Sequence, residues 1–362
     1  MNITFIISSL QCGGAERVVS NMANYWSDQG HAVSILKYDS DKDVPFYKLN
    51  SQVKVISMDI MKTSFGIGEK IANNIKRIHC LRESLKGIFP DVIISFMTET
   101  NILSIISNMM SGVPIIVSER IDPAEYKSSK LWDLLRRITY VFADAIVIQT
   151  ENVKEYFGKK IRSRCTVIPN SIAPCGARKS YNSSNNIILA MGRLEKQKGF
   201  DTLIHAFEKI STQYANWQLH IYGAGPLYDS LKEMIDRKTL VEKVLLKGIT
   251  KDPSAVMLES DIFVLASRAE GFPNVLLEAM SLGLPVVSTD CNSGPRDIIT
   301  DGFDGALVEV DDVNQMADAI KRLMVSAENR AELGENAFKR SKDFNEEAIM
   351  KRWENVIMNI IN

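Results

Sequence analysis

Hydrophobic residues along this chain alternate between short apolar runs rich in β-branched residues and longer segments with apolar positions at helical spacing. The short runs are Ile3 to Ser8, Ala32 to Lys37, Val53 to Ser57, Val92 to Phe96, Pro114 to Val117, Ala145 to Ile148, Thr166 to Ile168, Ile187 to Met191, Gln218 to Tyr222, Val244 to Leu246, Ile262 to Leu265, Val286 to Ser288 and Ala306 to Val308. Because helix-period segments separate these runs, we predict parallel strands joined by crossover helices in an α/β fold.

The alternation is interrupted between Pro169 and Asn186, where Pro, Ser, Asn and Gly dominate and no periodicity is visible. We interpret this segment as an interdomain linker. The predicted domains are 1–170 and 186–345, each a doubly wound Rossmann-like sheet whose ligands bind at the carboxyl ends of the strands.

The composition of the chain fits two globular domains and argues against one class of function, nucleic-acid binding. With 362 residues, 45% of them hydrophobic and 24% charged, the chain has enough material for two ordinary globular domains. A formal net charge of -1 argues against general nucleic-acid binding. The first 171 residues carry 21 Lys and Arg against 17 Asp and Glu, whereas the remainder carries 22 against 27.

The cysteines and the absence of long apolar stretches indicate the compartment. The five cysteines are Cys12, Cys80, Cys165, Cys175 and Cys291. They are odd in number, scattered and without a Cys-x-x-Cys pair, which favours reduced thiols in a cytoplasmic protein. No stretch reaches the roughly 18 apolar residues of a spanning helix, and no basic segment precedes an apolar run at the N-terminus. We therefore expect any membrane contact to be peripheral.

Two glutamates, Glu270 and Glu278, flank a Gly-x-Pro turn that opens an apolar helix. If Pro273 lies in the first helical turn, the N–H groups of Asn274 and Val275 point toward an anion, and the helix dipole adds positive potential there. Glu278 then lies one turn further on, placed to accept hydrogen bonds from two sugar hydroxyls. With Glu270 on the far side, the segment predicts a site for a sugar nucleotide with a diphosphate.

At this point the chain resembles the family-4 retaining glycosyltransferases over nearly its whole length. The residues that carry the resemblance are Gly13-Gly14-Ala15-Glu16-Arg17, Gly192-Arg193-Leu194 with Lys198-Gly199, Gly223-Ala224-Gly225-Pro226-Leu227, the double-glutamate segment and Gly283-Leu284-Pro285-Val286-Val287. Each motif alone is weak, but five in the family order are specific. Ser293-Gly294-Pro295-Arg296 is similar to members that build bacterial surface polysaccharides or lipid-linked oligosaccharides.

The resemblance implies a GT-B fold, in which two Rossmann-like domains face a central cleft. The first domain would bind the acceptor and the second the nucleotide sugar. The last segment, 346–362, would be a helix that returns to the first domain. The resemblance also implies retention of the anomeric configuration by a front-face route, in which the leaving phosphate accepts the proton of the acceptor and no enzyme nucleophile takes part.

Arg193 and Lys198 follow the first strand of the second domain and would hold the diphosphate as it leaves. Bond cleavage adds negative charge to the nucleoside diphosphate, so cations fixed beforehand stabilise the transition state more than the ground state. Loss of one such donor typically costs on the order of 3 kcal/mol. Loop cations are otherwise usually solvated, and we interpret Glu195 and Lys196 on the same loop as surface residues.

The full site implied by the resemblance combines catalytic and donor-binding residues. Arg193, Lys198 and Glu270 form the catalytic set, and Gly13, Gly14, Gly192, Gly223, Gly225, Gly271, Phe272, Pro273, Asn274, Val275 and Glu278 the donor-binding set. The glycines allow close approach of the backbone to a ligand, or alternatively form tight turns. A redox dinucleotide is disfavoured because Tyr228 stands where the third glycine of that fingerprint belongs.

Three aspartates after the second strand, Asp39, Asp41 and Asp43, have the Asp-x-Asp spacing with which other transferases hold a divalent metal. They lie in a polar stretch, and we favour a solvated turn. We predict metal-independent chemistry with no cofactor beyond the nucleotide sugar, because Arg193, Lys198 and the helix N-terminus replace the ion.

One segment departs from the family pattern. Many members have a histidine after the strand that corresponds to Pro114 to Val117, but here the chain reads Ser118-Glu119-Arg120-Ile121-Asp122-Pro123. We expect Arg120 to contact the donor phosphate or the sugar from the cleft, with Glu119 as its neighbour in the same role. The segment offers no histidine for the role that this residue has in those members.

The segment from Glu69 to Phe89 predicts a basic amphipathic helix. Its apolar stripe is Ile71, Ile75, Ile78, Leu81, Leu85 and Ile88, and its cations are Lys70, Lys76, Arg77, Arg82 and Lys86. Such a helix suits an anionic leaflet or a lipid pyrophosphate. The alternative is a packed helix whose charged face is simply solvated.

These observations predict a cytoplasmic glycosyltransferase, peripheral on the inner membrane, that moves a hexose or N-acetylhexosamine. The donor is a nucleotide sugar, expected to be UDP-linked, and the acceptor a lipid-linked or surface glycan; nucleic acid is not a partner. A sugar-nucleotide epimerase or hydrolase of the same architecture is the alternative. A catalytically silent sugar-binding module is disfavoured because it needs no complete phosphate-binding set.

Overall fold

The computed structural model describes residues 1–61, 66–124, 129–172, 176–181 and 185–361. Cys175 and the last residue of the predicted returning helix, Asn362, lie outside the described residues. The chain divides into two compact units. Unit 1 consists of Met1–Asn170 with Ile349–Asn362, and unit 2 of Ser171–Ala348.

Unit 1 is built on a parallel sheet of seven strands. Its elements are β1 Asn2–Ile7, α1 Gly14–Asp28, β2 Ala32–Lys37, β3 Lys54–Ser57, α2 Ile67–Ile88, β4 Val92–Phe96, α3 Thr98–Asn108, β5 Ile115–Ser118, α4 Lys130–Thr139, β6 Ala145–Ile148, α5 Glu151–Tyr156, α6 Lys159–Arg162 and β7 Cys165–Val167. The strand order is β3-β2-β1-β4-β5-β6-β7, so the sequence order reverses between β1 and β4. Ligands of such sheets bind at this switch point.

Unit 2 repeats the plan with six parallel strands. Its elements are β8 Ile187–Met191, α7 Phe200–Ser211, β9 Gln218–Tyr222, α8 Tyr228–Arg237, β10 Val244–Gly248, α9 Pro253–Glu259, β11 Ile262–Leu265, α10 Asn274–Ser281, β12 Val286–Thr289, α11 Pro295–Ile298, β13 Ala306–Val308, α12 Val313–Val325 and α13 Ala327–Ser341. The order β10-β9-β8-β11-β12-β13 puts the switch point between β8 and β11. The predicted α/β fold with two doubly wound sheets is confirmed.

The final helix, α14 (Glu346–Ile361), contributes its apolar face to the core of unit 1. Trp353 packs beside Phe96 of β4, with 6.4 Å between the ring centroids. On the same face of the sheet, Trp26 of α1 stacks on Phe5 of β1 at 5.7 Å. These aromatic contacts bury large apolar areas.

Part of the segment predicted as a linker is packed against unit 2. The ammonium of Lys179 lies 3.2 Å from a carboxylate oxygen of Asp261, and both side chains are buried. Lys179 also donates to the carbonyl of Leu258, and the hydroxyl of Tyr181 donates to the carbonyl of Gly283. Lys179 and Tyr181 thus provide donors for acceptors of unit 2, while the assignment of the whole segment as a linker stays a prediction.

Candidate functional site

The switch point of unit 2 brings together two predicted catalytic residues. Lys198, in the loop after β8, lies 2.7 Å from the carboxylate of Glu270, in the loop after β11. The hydroxyl of Ser267 donates to the same carboxylate at 2.5 Å. We expected Lys198 and Glu270 to contact different parts of a ligand, but in this structure they form an ion pair. The loops of β8 and β11 meet because these two strands are neighbours.

Backbone geometry determines where Lys198 lies. The loop after β8 ends in a 3-10 turn from Lys196 to Lys198, closed by Gly199 with φ of 62°. A Cβ at Gly199 would stand 2.0 Å from the carbonyl oxygen of Ala266, so only glycine fits. A Cβ at Gly192 would lie 3.4 Å from Cδ of Lys198. The Lys198 stem therefore packs over Gly192, which limits where the ammonium can go.

Arg193 lies apart from this pair. Its guanidinium is 64% exposed and lies 3.1 Å from the carboxylate of Glu195. Glu195, which we interpreted as a surface residue without a role, is therefore the present partner of Arg193. Exposed ion pairs of this kind contribute little free energy, so Arg193 can exchange Glu195 for another anion at small cost.

The glycines of the loop after β9 are explained by packing between loops. A Cβ at Gly223 would stand 1.8 Å from the carbonyl oxygen of Gly192, and one at Gly225 would stand 2.6 Å from that of Leu194. The amide of Leu194 donates to the carbonyl of Ala224 at 2.9 Å. These glycines allow the loops after β8 and β9 to pack against each other. This packing explains glycine at both positions without a ligand.

Helix α10 begins one residue later than predicted. Pro273 has φ of -77° and ψ of 91°, so it precedes the helix as its N-cap rather than occupying the first turn. Asn274, Val275 and Glu278 are half-buried at the start of α10, and Val275 packs against the core that buries Leu276 and its apolar neighbours. Asn274 and Glu278 are four residues apart and therefore share one face of the helix start.

The turn before α10 is anchored from two sides. The side chain of Phe272 is buried against Phe344, with 5.9 Å between the ring centroids. Phe272 was predicted as a donor contact, but its ring instead stabilises the turn, which leaves its backbone for a ligand. A Cβ at Gly294 would stand 2.6 Å from Cδ of Pro273 and 3.0 Å from the carbonyl oxygen of Gly271. The loop after β12 therefore packs directly on this turn.

Arg268, two residues before Glu270, was not predicted as a site residue. Its guanidinium binds both carboxylate oxygens of Asp201, at 3.0 and 2.8 Å, and a carboxylate oxygen of Asp311 at 2.8 Å. It also donates to the carbonyl of Lys196 at 2.5 Å. Arg268 thereby ties the loop of Glu270 to the loop of Lys198. The only signal in the sequence was its position next to the glutamate motif.

In unit 1, the Gly13-Gly14 loop leads into α1, which begins at Gly14. The carboxylate of Glu16 folds back over the loop, since a Cβ at Gly13 would stand 2.1 Å from Oε2 of Glu16. Burial raises the pKa of Glu16 above its usual value, although a hydrogen bond from its own backbone acts in the opposite direction. A carboxylate thus lies at the helix N-terminus where a ligand anion was expected.

Arg120 was expected to contact the donor phosphate or the sugar from the cleft, with Glu119 as its neighbour in the same role. Both side chains are buried in unit 1. Glu119 accepts hydrogen bonds from the hydroxyls of Tyr140 and Thr98. Burial raises the pKa of Glu119 above its usual value, while the hydrogen bond from Tyr140 lowers it.

Arg120 lies over two aromatic rings, with Cζ 4.9 Å from the centroid of Phe96 and 5.7 Å from that of Trp353. One amino group donates to Asn170 at 2.7 Å. Nε and Nη2 of Arg120 have no hydrogen-bond partner within the described part of the chain. The segment that departs from the family pattern therefore contains a buried cation on aromatic faces instead of an exposed ligand contact.

Helix α2 matches the predicted basic helix in extent, but its cations differ in their surroundings. Arg77 is half-buried, with Cζ 5.9 Å from the ring centroid of Tyr38, and Arg82 donates to the carbonyl of Ser107 at 3.3 Å. Lys86 pairs with Glu83 at 2.8 Å, whereas Lys70 and Lys76 are exposed. Of the apolar stripe, Leu81 and Leu85 are buried, while Ile71 and Ile75 are exposed. Among the described residues, no helix has the length and apolarity needed to span a bilayer.

The aspartates after β2 are not all in a solvated turn. Asp39 is buried and lies 2.7 Å from the ammonium of Lys37, also buried, whereas Asp41 and Asp43 are exposed. The expectation of a solvated turn was therefore wrong for Asp39, because Lys37 at the end of β2 brings its charge into the protein. Within the described ranges, no group of three His, Cys, Asp or Glu residues is arranged to hold a metal ion.

The geometry of unit 2 defines a class of protein. A helix start and a fixed lysine at the switch point of a doubly wound sheet suit a ligand with phosphate groups. Family models described as "Glycosyltransferase Family 4" and "Glycosyl transferases group 1" match residues 12–174 and 177–340. The chain belongs to the family-4 glycosyltransferases.

Curated relatives agree with this assignment. The chain is 32% identical to the GalNAc-alpha-(1->4)-GalNAc-alpha-(1->3)-diNAcBac-PP-undecaprenol alpha-1,4-N-acetyl-D-galactosaminyltransferase of Campylobacter jejuni, over 100% of this chain and 99% of the relative. It is 25% identical to the amylovoran biosynthesis glycosyltransferase AmsD of Erwinia amylovora, over 95% of this chain and 96% of the relative.

Solved structures show the same fold. Sucrose-phosphate synthase from Thermosynechococcus elongatus matches with a TM-score of 0.86 at 16% identity, covering 99% of this chain and 98% of the other. Anabaena Alr3699/HepE in complex with UDP matches with a TM-score of 0.81 at 19% identity, covering 99% and 100%. The predicted GT-B fold is confirmed, and the chain is a glycosyltransferase.

Proposed function

We propose that this glycosyltransferase moves a hexose or N-acetylhexosamine from a UDP-linked donor to a lipid-linked or surface glycan, with retention of the anomeric configuration. The observation that carries the proposal is the fixed ammonium of Lys198 at the switch point of unit 2, close to Glu270 and on the sheet edge where α10 begins. The Campylobacter relative, which acts on an undecaprenol-linked acceptor, supports the acceptor class.

In this proposal Lys198 and Arg193 bind the diphosphate. Lys198 is already held by Glu270 and by the packing of its stem over Gly192, so little reorganisation is needed when the phosphate charge develops. Arg193 exchanges Glu195 for the diphosphate, which costs little because that ion pair is exposed.

The remaining contacts follow from position. Glu278, on the outer face of α10, binds the ribose hydroxyls. Glu270, beside Lys198, orients the donor sugar. The backbone amides of Asn274 and Val275 at the start of α10 face the diphosphate and add the positive potential of the helix dipole.

The acceptor binds unit 1 in this proposal. Unit 1 has a cavity of about 390 Å³ whose lining includes Ser8 after β1, Tyr38 after β2 and Thr98 after β4. These residues follow the carboxyl ends of neighbouring strands, where ligands of doubly wound sheets bind. Arg77 and Arg136 also line the cavity, beside the carboxyl groups of Glu16 and Glu99, and are the cations that would bind an acceptor with a diphosphate.

The test is incubation with a panel of nucleotide sugars and undecaprenyl-diphosphate-linked glycans, followed by mass spectrometry of the products. We expect one added hexose or N-acetylhexosamine unit from a UDP sugar, with no loss of rate in EDTA. Release of UDP at full rate without any acceptor contradicts a transferase acting on glycans and favours an epimerase or hydrolase.

A further inference from the structure

Helix α4 packs Trp132 and Leu135 against the core of unit 1, but it also carries a second set of apolar side chains that is exposed to solvent. Leu131, Leu134, Ile138 and Phe142, the last in the 3-10 turn Tyr140–Phe142 that follows α4, are each more than half exposed. Their spacing of three or four residues places them on one side, and we call them the α4 stripe. The opposite side contains Arg136, which is buried. An exposed stripe of four large apolar side chains indicates a surface that contacts something apolar.

Specific contacts hold α4 in the orientation that exposes the stripe. The guanidinium of Arg136 donates to Asp133 at 2.7 Å and to the hydroxyl of Tyr156 at 2.6 Å, and its Cζ lies 4.9 Å from the centroid of the Tyr156 ring. Arg136 also approaches Glu119 at 3.9 Å. Asp133 lies on α4 itself, but rotation of α4 to bury the stripe would break the contacts with Tyr156 and Glu119 and remove Trp132 and Leu135 from the core. The exposure of the stripe is therefore built into the fold.

Exposed cations lie next to the stripe. Lys130 and Arg137 are on α4, and Lys159 and Lys160 are on α6, which packs against the 3-10 turn after α4. None of these four cations forms an ion pair with any residue in the described ranges. Arg137, Lys159 and Lys160 line a cavity of about 560 Å³ together with Tyr156 and Phe157. This cavity has the charge to take phosphate groups.

We infer that the α4 stripe and its neighbouring cations are the surface with which this enzyme docks on an anionic lipid bilayer. The stripe enters the boundary between headgroups and acyl chains, and the four cations contact the lipid phosphates. The bilayer is favoured because unpaired cations next to exposed apolar side chains complement both of its layers. The inference deepens the proposed function, since it rests on an acceptor held in a membrane.

This surface differs from the one predicted on α2. Arg77 and Arg82 of α2 bind groups within unit 1, and Lys86 pairs with Glu83. Ile75 and Lys76, which are exposed near the middle of α2, are therefore the appropriate comparison in an experiment.

The experiment measures binding of the full chain to vesicles of phosphatidylethanolamine and phosphatidylglycerol in a ratio of two to one, by flotation. Replacing Leu134 and Ile138 by Gln is expected to weaken binding at least about tenfold, because two apolar side chains no longer enter the bilayer. Replacing Arg137, Lys159 and Lys160 by Gln is expected to weaken binding about fivefold per cation at low salt. Both sets are exposed, so the variants should keep the unfolding transition of the wild type.

The control variant replaces Ile75 and Lys76 of α2 by Gln and is expected to bind vesicles as the wild type does. Binding by the α4 variants equal to wild type overturns the inference, and so does loss of binding by the α2 variant alone. A wild-type dimer in light scattering that the Leu134 and Ile138 variant converts to a monomer also overturns it, because the stripe would then contact a second copy.

If both proposals hold, the α4 variants should lose turnover on acceptors in vesicles but keep it on a short-chain, water-soluble diphosphate-linked acceptor. Failure of the proposed function alone gives a different pattern. Vesicle binding that depends on the α4 stripe, with no product from any acceptor, supports the surface and contradicts the glycan-transfer proposal.

Discussion

The ion pair between Lys198 and Glu270 has two explanations. It can be a structural contact between two loops, or it can hold a cation in place to bind a diphosphate. The perturbation is Lys198→Met, which keeps the apolar stem over Gly192 and removes the charge. The two charged groups are 2.7 Å apart and only 16% and 9% exposed. Removing Lys198 leaves Glu270 with the hydroxyl of Ser267 as its closest donor.

The structure sets the expected magnitudes. A hydrogen bond between charged groups contributes about 1.5 to 3 kcal/mol, and a fully buried ion pair costs about 3 to 5 kcal/mol to break. Because both groups keep some exposure, we expect Lys198→Met to lower the free energy of unfolding of unit 2 by about 2 kcal/mol. Loss of one fixed cation at the leaving group should lower turnover about a hundred- to a thousandfold.

The assay is a double-mutant cycle of Lys198→Met, Glu270→Gln and the double variant, followed by urea unfolding, UDP binding and turnover. In the double variant no charge is left unpaired, so stability should return to within about 1 kcal/mol of wild type. Turnover and UDP affinity should remain low. Turnover that recovers with stability, or near-wild-type turnover in Lys198→Met, refutes the role of Lys198 in binding the diphosphate.

Two further changes test the packing of each unit. Gly223→Ala should lower the free energy of unfolding of unit 2 by more than Gly302→Ala does, as measured by urea unfolding. Both glycines have a positive φ, but only at Gly223 would a Cβ meet another backbone, at 1.8 Å. Equal losses of stability would contradict the loop contact. For Glu119, burial raises the pKa above its ordinary value of 4.5, so the folded protein binds the proton more tightly than the unfolded chain. The free energy of unfolding of the wild type should therefore fall as the pH rises from about 4.5 through the raised pKa of Glu119. Glu119→Gln should lack this slope, and parallel stability curves of the two proteins across the window would show that Glu119 does not titrate as proposed.

Much of the fold was predictable because it depends on local pattern. Ala32–Lys37, Val92–Phe96 and Gln218–Tyr222 were predicted to the residue, since a short apolar run between polar segments can be buried on both faces only as a strand of a parallel sheet. The glutamate and glycine motifs likewise identified the family, because each is a short stretch of adjacent residues.

The contacts of the candidate site were decided by tertiary structure. Lys198 and Glu270 are 72 residues apart and meet only because β8 and β11 are neighbours. From the sequence, Gly223 could be explained by a tight turn or by a ligand. Its close contact with the carbonyl of Gly192 could not be predicted, because a second loop brings that carbonyl into place.

Helix α4 shows most clearly which features the sequence pattern determines and which the tertiary contacts determine. Its spacing of Leu131, Leu134, Ile138 and Phe142 defines an apolar face in the sequence, and such a face usually packs into a core. Here Trp132 and Leu135 of the same helix pack into the core and Arg136 contacts Tyr156 and Glu119, so the face of Leu131, Leu134, Ile138 and Phe142 is turned outward. Periodicity along a chain determines which side chains share a face. Which face is buried depends on the partners that the rest of the fold places beside it.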